Sequence, residues 1–253
     1  MPTEVRVAAI AVATVDGLPG ANYLRAARLV EIALSGAPDI ILLPEAFAAG
    51  YCSCDLTPFA EASTSASLER FRQLSAQGSC MIVLGFLEKI RDGIRNAVVL
   101  YDRGRKLGMH RKRTLWPDAQ RRYRDETTLM LPGTGMEIFA TRFGKCSVVI
   151  CYENMVEENW AEVGPHVDFI LSPYNCQGDP AHNNVEKSRQ YAIPSAWADR
   201  TGTVWAGDHY MPNLGTAGIV DATGNVVAQS TPGVETIVTG AFSLEHAAGA
   251  GAR

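Results

Sequence analysis

The sequence predicts an α/β fold with mixed rather than purely parallel strand pairing, and three observations predict it. Apolar segments of strand length alternate with longer segments of helical period. Two pairs of strand-like runs are joined by turn sequences, Asp102-Arg103-Gly104-Arg105 and Asp221-Ala222-Thr223-Gly224, which read as hairpins and add antiparallel neighbours. The run Ile40-Ile41-Leu42-Leu43 is apolar without alternation, as a strand buried on both faces requires.

Residues 5–12 alternate Val, Val, Ala and Ile with small or charged residues and read as the first strand. Asn22 is a candidate N-cap for a helix to about Leu34, with Leu24, Ala27, Val30 and Leu34 on one face. A helix near 66–76 and a strand near 81–87 follow, then a hairpin of 96–101 with 106–110. Residues 146–151 read as another apolar strand. Residues 168–171, a helix ending at Gly202, and 203–206 repeat the strand-helix-strand pattern. The second hairpin pairs 218–220 with 226–228, and 234–242 closes the fold. No Pro/Ser-rich linker or short-period repeat divides the chain. Residues 1–246 therefore read as one domain, and 247–253 (Ala-Ala-Gly-Ala-Gly-Ala-Arg) as a frayed tail.

Composition narrows the function. A chain of 253 residues buries a sizeable core without disulfide staples, and 47% hydrophobic with 20% charged residues excludes a disordered chain, a collagen or a coiled coil. The formal net charge of −4 argues against a dedicated nucleic-acid binder. No apolar run approaches the ~20 residues of a membrane-spanning helix. No basic segment precedes an apolar run at the start, so no secretory signal is visible. Six cysteines are too few for a disulfide scaffold and are expected as reduced thiols, which predicts a cytoplasmic protein.

Three residues stand where strands deliver the chain into loops. Glu45 follows the run Ile-Ile-Leu-Leu-Pro, Lys112 follows the strand ending at His110, and Cys151 ends the run Cys-Ser-Val-Val-Ile-Cys. A thiol with a reference pKa of ~8.5 needs a base or a positive neighbour to act as a nucleophile. Glu45 can take that proton and return it to a departing amine, and Lys112 can hold the thiolate and then an oxyanion. The backbone N–H of Tyr152, next after the thiol, is a candidate second oxyanion donor. Each residue also has an ordinary reading: a small buried hydrophobe for Cys151, a surface or capping carboxylate for Glu45, one cation of a basic run for Lys112. A Cys–His pair of Cys151 with His182 or His209 is a further alternative.

Other constellations point nowhere. Cys52-Ser53-Cys54 is spaced more tightly than a zinc knuckle, and the histidines show no metal spacing, so no metal is expected. No Gly-rich phosphate loop appears, so no nucleotide cofactor is expected. Between Arg103 and Arg124 stand nine Lys/Arg and one acid, Asp118. Such a run is ordinarily a solvated face, but part of it can line a pocket mouth and attract an anionic substrate.

Local context goes further. Leu43-Pro44-Glu45-Ala46-Phe47 with Gly50-Tyr51, His110-Arg111-Lys112-Arg113-Thr114-Leu115, and Gly144-Lys145-Cys146-Ser147-Val148-Val149-Ile150-Cys151-Tyr152-Glu153 resemble, in order and separation, the three motifs of the nitrilase superfamily of carbon–nitrogen hydrolases. The resemblance runs from Val5 to about Phe242. It implies a four-layer α-β-β-α sandwich with mixed sheets, a homodimer or larger homo-oligomer, and a Glu45–Lys112–Cys151 triad. It also implies a second glutamate ahead of a Pro-Gly, for which Glu126, before Pro132-Gly133, is the candidate. A loop carboxylate paired with Arg122 or Arg124 is the ordinary reading of Glu126. The chain departs from the family at Asn154-Met155-Val156-Glu157-Glu158, at Trp197-Ala198-Asp199-Arg200-Thr201-Gly202 and at Ser172-Pro173-Tyr174-Asn175-Cys176. The implied activity is hydrolysis of a linear amide or N-carbamoyl compound, a small-molecule substrate, with no cofactor. Nitrile hydrolysis is the alternative, weakly favoured by Glu153. A non-catalytic binding or regulatory protein on the same scaffold is the alternative of another class, and acyl transfer a third.

Overall fold

Runs that are apolar throughout form inner strands, and the Gly-containing turns between them set the antiparallel neighbours. A computed structural model of the chain describes residues 3–52, 55–118 and 124–244. The first half holds β1 (Thr3–Ala11), β2 (Ala13–Val15), α1 (Pro19–Leu34), β3 (Ile40–Leu42), α2 (Ala66–Gly78), β4 (Met81–Ile90), β5 (Gly93–Asp102) and β6 (Arg105–Arg111). There follow α3 (Glu126–Leu129), β7 (Ile138–Thr141), β8 (Gly144–Val148), α4 (Glu157–Val163), β9 (Phe169–Tyr174), α5 (Ala181–Tyr191) and β10 (Ser195–Asp199). The chain ends with β11 (Thr201–Trp205), β12 (Tyr210–Leu214), β13 (Ala217–Val220), β14 (Val226–Gln229) and β15 (Thr236–Leu244).

Two six-stranded sheets have the orders β15-β1-β3-β4-β5-β6 and β14-β13-β10-β9-β8-β7, and a small third sheet has the order β12-β11-β2. Each large sheet has three parallel strands at its centre, β1, β3 and β4 or β8, β9 and β10, with antiparallel strands outside them. The sheets pack face to face through Val7, Leu42, Val83 and Leu100 on one side and Val148, Leu171, Ala196 and Ile219 on the other. The outer face of the first sheet carries α1 and α2, with Val30, Leu68 and Phe71 against Ile41, Ile82 and Leu84. The outer face of the second carries α4 and α5, with Trp160 and Val163 against Val149 and Ile170, and Val185 against Trp197. The result is the four-layer α-β-β-α sandwich with mixed sheets. Each Val, Leu, Ile or Phe among them contributes about 1.5–3 kcal/mol when fully buried.

The sequence reading needs correction in three places. First, α1 begins at Pro19, a residue suited to the first helical turn, so Asn22 lies inside the helix. Its buried amide ties the helix to Val15 and to the carbonyl of Ala48. The buried face is Ala26, Ala27, Val30 and Ala33, while Leu24 is 75% exposed. Second, the strand read at 146–151 ends at Val148, because Cys151 takes a left-handed φ of 46° and the chain turns into a short 3-10 helix. Third, there is no helix ending at Gly202. The helix is α5, and past Pro194 residues 195–199 and 201–205 are strands, the first buried throughout. The tail 247–253 and Cys54 lie outside the described residues.

Candidate active site

The parallel strands end at one edge of the sandwich, and the residues just past those ends meet there. Glu45 stands three residues beyond β3, and its N–H donates to the carbonyl of Tyr174 at the end of β9 (3.1 Å), joining the two sheets. This approach requires Gly85: a Cβ there would lie 2.6 Å from the Glu45 Cα and the Pro44 carbonyl. The Glu45 carboxylate is fully buried. Its Oε1 accepts from Asn96 Nδ2 (2.6 Å), Lys112 Nζ (2.7 Å) and Tyr51 OH (3.3 Å). Its Oε2 has no hydrogen-bond partner among the described residues. Buried polar atoms are almost always paired, so an idle carboxylate oxygen is a free proton acceptor.

Lys112 follows β6. Its backbone N–H donates to Asn96 (2.9 Å) and its carbonyl accepts from Gly133 (2.8 Å). Gly133 is needed there, because a Cβ would sit 2.0 Å from the Arg111 carbonyl oxygen. The ammonium reaches Glu45 Oε1 at 2.7 Å and Glu126 at 2.9 and 3.0 Å. Glu126 is not paired with Arg124; it also accepts from Tyr51, Asn96 (3.1 Å) and the Trp116 N–H (2.7 Å). Arg122 lies outside the described residues.

One ammonium thus serves two buried carboxylates. Burial raises the pKa of Glu45, and the lowering by Lys112 does not fully offset it because Glu126 raises it again. Burial works against the charge on Lys112, but Glu126 and Glu45 outweigh it and hold the lysine above its usual value. Burial and Glu45 push the Cys151 thiol up, against the pull of Lys112 and of a hydrogen bond from the Asn175 backbone. The resting thiol is therefore protonated, and a base is needed to activate it.

Cys151, Glu45, Lys112 and Glu126 line one cavity of about 220 Å³. Tyr152 lines it too, with its ring edge-on to Trp116 (4.8 Å between centroids). Two arginines of the basic stretch are engaged elsewhere. Arg111 forms a bidentate pair with Glu88 (2.6 and 2.8 Å), and Arg113 holds Glu162 and Asn159 (both 2.6 Å). Arg124 does line the cavity, 5.8 Å from the Tyr51 ring centroid and donating to the Asn175 carbonyl (3.1 Å). Sequence reasoning missed Asn96, Asn175 and Cys176; a lone Asn in a strand or loop carries no pattern that distinguishes it. Tyr51 stands in the first motif, but its sequence context alone assigns it no role. Among the described residues, no group of three His, Cys, Asp or Glu could hold a metal ion.

The carbon-nitrogen hydrolase family profile matches residues 6–251. The chain is 24% identical to an N-carbamoylputrescine amidase of Arabidopsis thaliana, over 96% of this chain and 87% of that protein. It is also 24% identical to an omega-amidase of Xenopus tropicalis, over 90% of this chain and 84% of the other. Among solved structures, a carbon-nitrogen hydrolase from Helicobacter pylori superposes with a TM-score of 0.83 at 16% identity, covering 94% of this chain and 89% of that one. Nit3 of Saccharomyces cerevisiae, a nitrilase superfamily member, gives 0.81 at 20% identity, covering 95% and 90%. These structures share the sandwich; the profile match along nearly the whole sequence goes further, and the chain is an enzyme of the carbon-nitrogen hydrolase family.

Proposed function

We propose that the protein hydrolyses a linear amide or N-carbamoyl compound through a thioester on Cys151. The observation that carries this reading is the idle Oε2 of Glu45, in a cavity shared with a thiol and a buried ammonium. Glu45 takes the Cys151 proton as sulfur bonds to the carbonyl carbon, and Lys112 with the Tyr152 N–H holds the oxyanion. Collapse breaks the C–N bond, and Glu45 gives its proton to the departing nitrogen. Water then attacks the thioester. Glu45 accepts a water proton, the C–S bond breaks, and the proton returns to sulfur. Glu126 orients Lys112 and the substrate. No cofactor enters these steps. Among the described residues no helix is long and apolar enough to cross a membrane. A homodimer or larger homo-oligomer is inferred from the family resemblance alone.

Arg124 supports an anionic substrate better than the wider basic stretch does, since Arg111 and Arg113 are committed to Glu88 and Glu162. Glu153 is buried and is not among the cavity-lining residues, so it lends nothing to the nitrile reading. A panel of amides, N-carbamoyl compounds and nitriles, with and without a carboxylate, assayed by ammonia release, tests the proposal. Turnover of carboxylated amides or carbamoyl compounds that is lost in Cys151→Ala is expected. Turnover retained in that variant refutes the thioester, and preference for nitriles refutes the substrate class.

A further inference from the structure

His110 lies two residues before Lys112, is 0% exposed, and has no part in the steps above. Its Nε2 is 2.8 Å from Glu153 Oε2, and its Nδ1 bonds Glu137, just ahead of β7. A carboxylate only accepts, so a ring bonded to one on each side must donate from both nitrogens and is an imidazolium. Glu153 passes this hold onward in two directions. Its Oε2 accepts the N–H of Ile150 (2.8 Å), the residue before Cys151. Its Oε1 accepts the N–H of Arg113 (2.6 Å), the residue after Lys112, and that of Thr114 (3.4 Å). Lys112 leaves the first sheet and Cys151 the second, so one carboxylate, steadied by one cation, clamps the two backbones that carry the ammonium and the thiol.

We propose that His110 is a positioning residue: as an imidazolium it anchors Glu153, and through Glu153 it sets the spacing between Lys112 and Cys151. The inference rests on the thioester reading of those two residues. The charged groups facing the ring are Glu137 from the segment before β7 and Glu153 from the turn after Cys151. Its partner on β5 is Val98. The Arg111 guanidinium, next along β6, is held by Glu88 and also feels Glu137. Burial by itself would lower the His110 pKa, but Glu153 and Glu137 outweigh it and raise it to about 9. The clamp is therefore complete at neutral pH and loosens as pH rises through that value. Misplacing reacting groups by about 1 Å can cost about 100-fold in rate, so the loosening registers in kcat more than in KM.

The test follows kcat and KM for an amide substrate from pH 6 to 10, beside an NMR titration of the His110 ring. The full chain is used as wild type, Glu137→Gln and His110→Gln. Glu137 stands outside the cavity with its side chain 35% exposed. Removing its charge should move both the ring titration and the alkaline fall of kcat down by ~1 pH unit or more, with KM nearly constant. His110→Gln should lower kcat at pH 7 by ~10-fold or more and abolish the fall near pH 9. A kcat limb that stays in place while the ring titration moves overturns the proposal. So does a wild-type ring that is neutral at pH 7, a result that needs no variant to fold. Cys151→Ala assayed in parallel keeps the two readings apart: turnover there removes the thioester mechanism wherever the His110 limb falls.

Discussion

Replacing Lys112 by Met deletes the one ammonium that Glu45 and Glu126 share, at 2.7, 2.9 and 3.0 Å, with all three side chains no more than 2% exposed. Methionine keeps the length and leaves two carboxylates whose remaining common donors are Tyr51 and Asn96. Breaking a buried pair by removing one partner costs about 3–5 kcal/mol. Protonation of one carboxyl relieves part of that cost, and this gives the prediction its pH signature. In the variant, the shared proton is held in the folded state well above the unfolded carboxyl value of ~4.3. A folded-state pKa raised in this way gives stability that is complete below the unfolded value and is lost as pH rises through the folded one, by up to ~1.4 kcal/mol per pH unit. Native Glu45 is itself raised and loses some stability over the same range, so the deficit relative to the native chain should grow by about 1–2 kcal/mol between pH 5 and pH 7. Urea unfolding followed by tryptophan fluorescence, with Trp160 and Trp197 fully buried as reporters, measures it. Adding Glu126→Gln should recover part of the loss at pH 7. A deficit that is flat with pH, or below ~1 kcal/mol throughout, would refute the reasoning.

Other substitutions probe the same edge of the sandwich. Gly85→Ala drives a Cβ into the Glu45 and Pro44 backbone at 2.6 Å, so kcat should fall by ~100-fold while circular dichroism stays native; unchanged kcat would show that this loop yields freely. Iodoacetamide should alkylate Cys151 ahead of Cys80 and Cys146, both fully buried, and Glu45→Gln should slow that reaction, because the resting thiol is protonated and depends on Glu45; an unchanged rate would remove Glu45 as the base. Arg124→Gln should raise KM for a carboxylated substrate by ~10-fold and leave its uncharged analogue alone, which paired Michaelis curves decide.

The inner strands were legible because an unbroken apolar run such as Ile40-Ile41-Leu42 has little alternative to a doubly covered strand. Periodicity found α1 and its end near Leu34 with Ala27 and Val30 inward, but it misplaced the start and Leu24, because the buried face is mostly alanine with Val30 and Asn22 while the large Leu24 and Ile32 face outward. Ser195–Asp199 is buried at every position, so it shows no strand alternation, and the charged pair Asp199-Arg200 beside it reads as surface helix. In the fold that pair is buried and partnered: Asp199 holds Cys176, and Arg200 meets Asp16, which lies 184 positions away. β12 was not read because Pro212 interrupts it, which only an edge strand tolerates. Glu45, Lys112 and Cys151 were legible because each follows a strand end inside a motif. Asn96, Asn175 and the His110–Glu153 clamp were not, because their significance exists only once two sheets are brought together.

The central claim is that Cys151 carries the acyl group during turnover. Rapid quenching of the enzyme with an accepted amide, followed by peptide mass spectrometry, addresses it directly. The account predicts an acyl adduct on the peptide containing Cys151 that forms and decays at rates consistent with kcat and is absent from Cys151→Ala, which should not turn over. No adduct at any time, an adduct on another residue such as Cys176, or turnover in Cys151→Ala would contradict it.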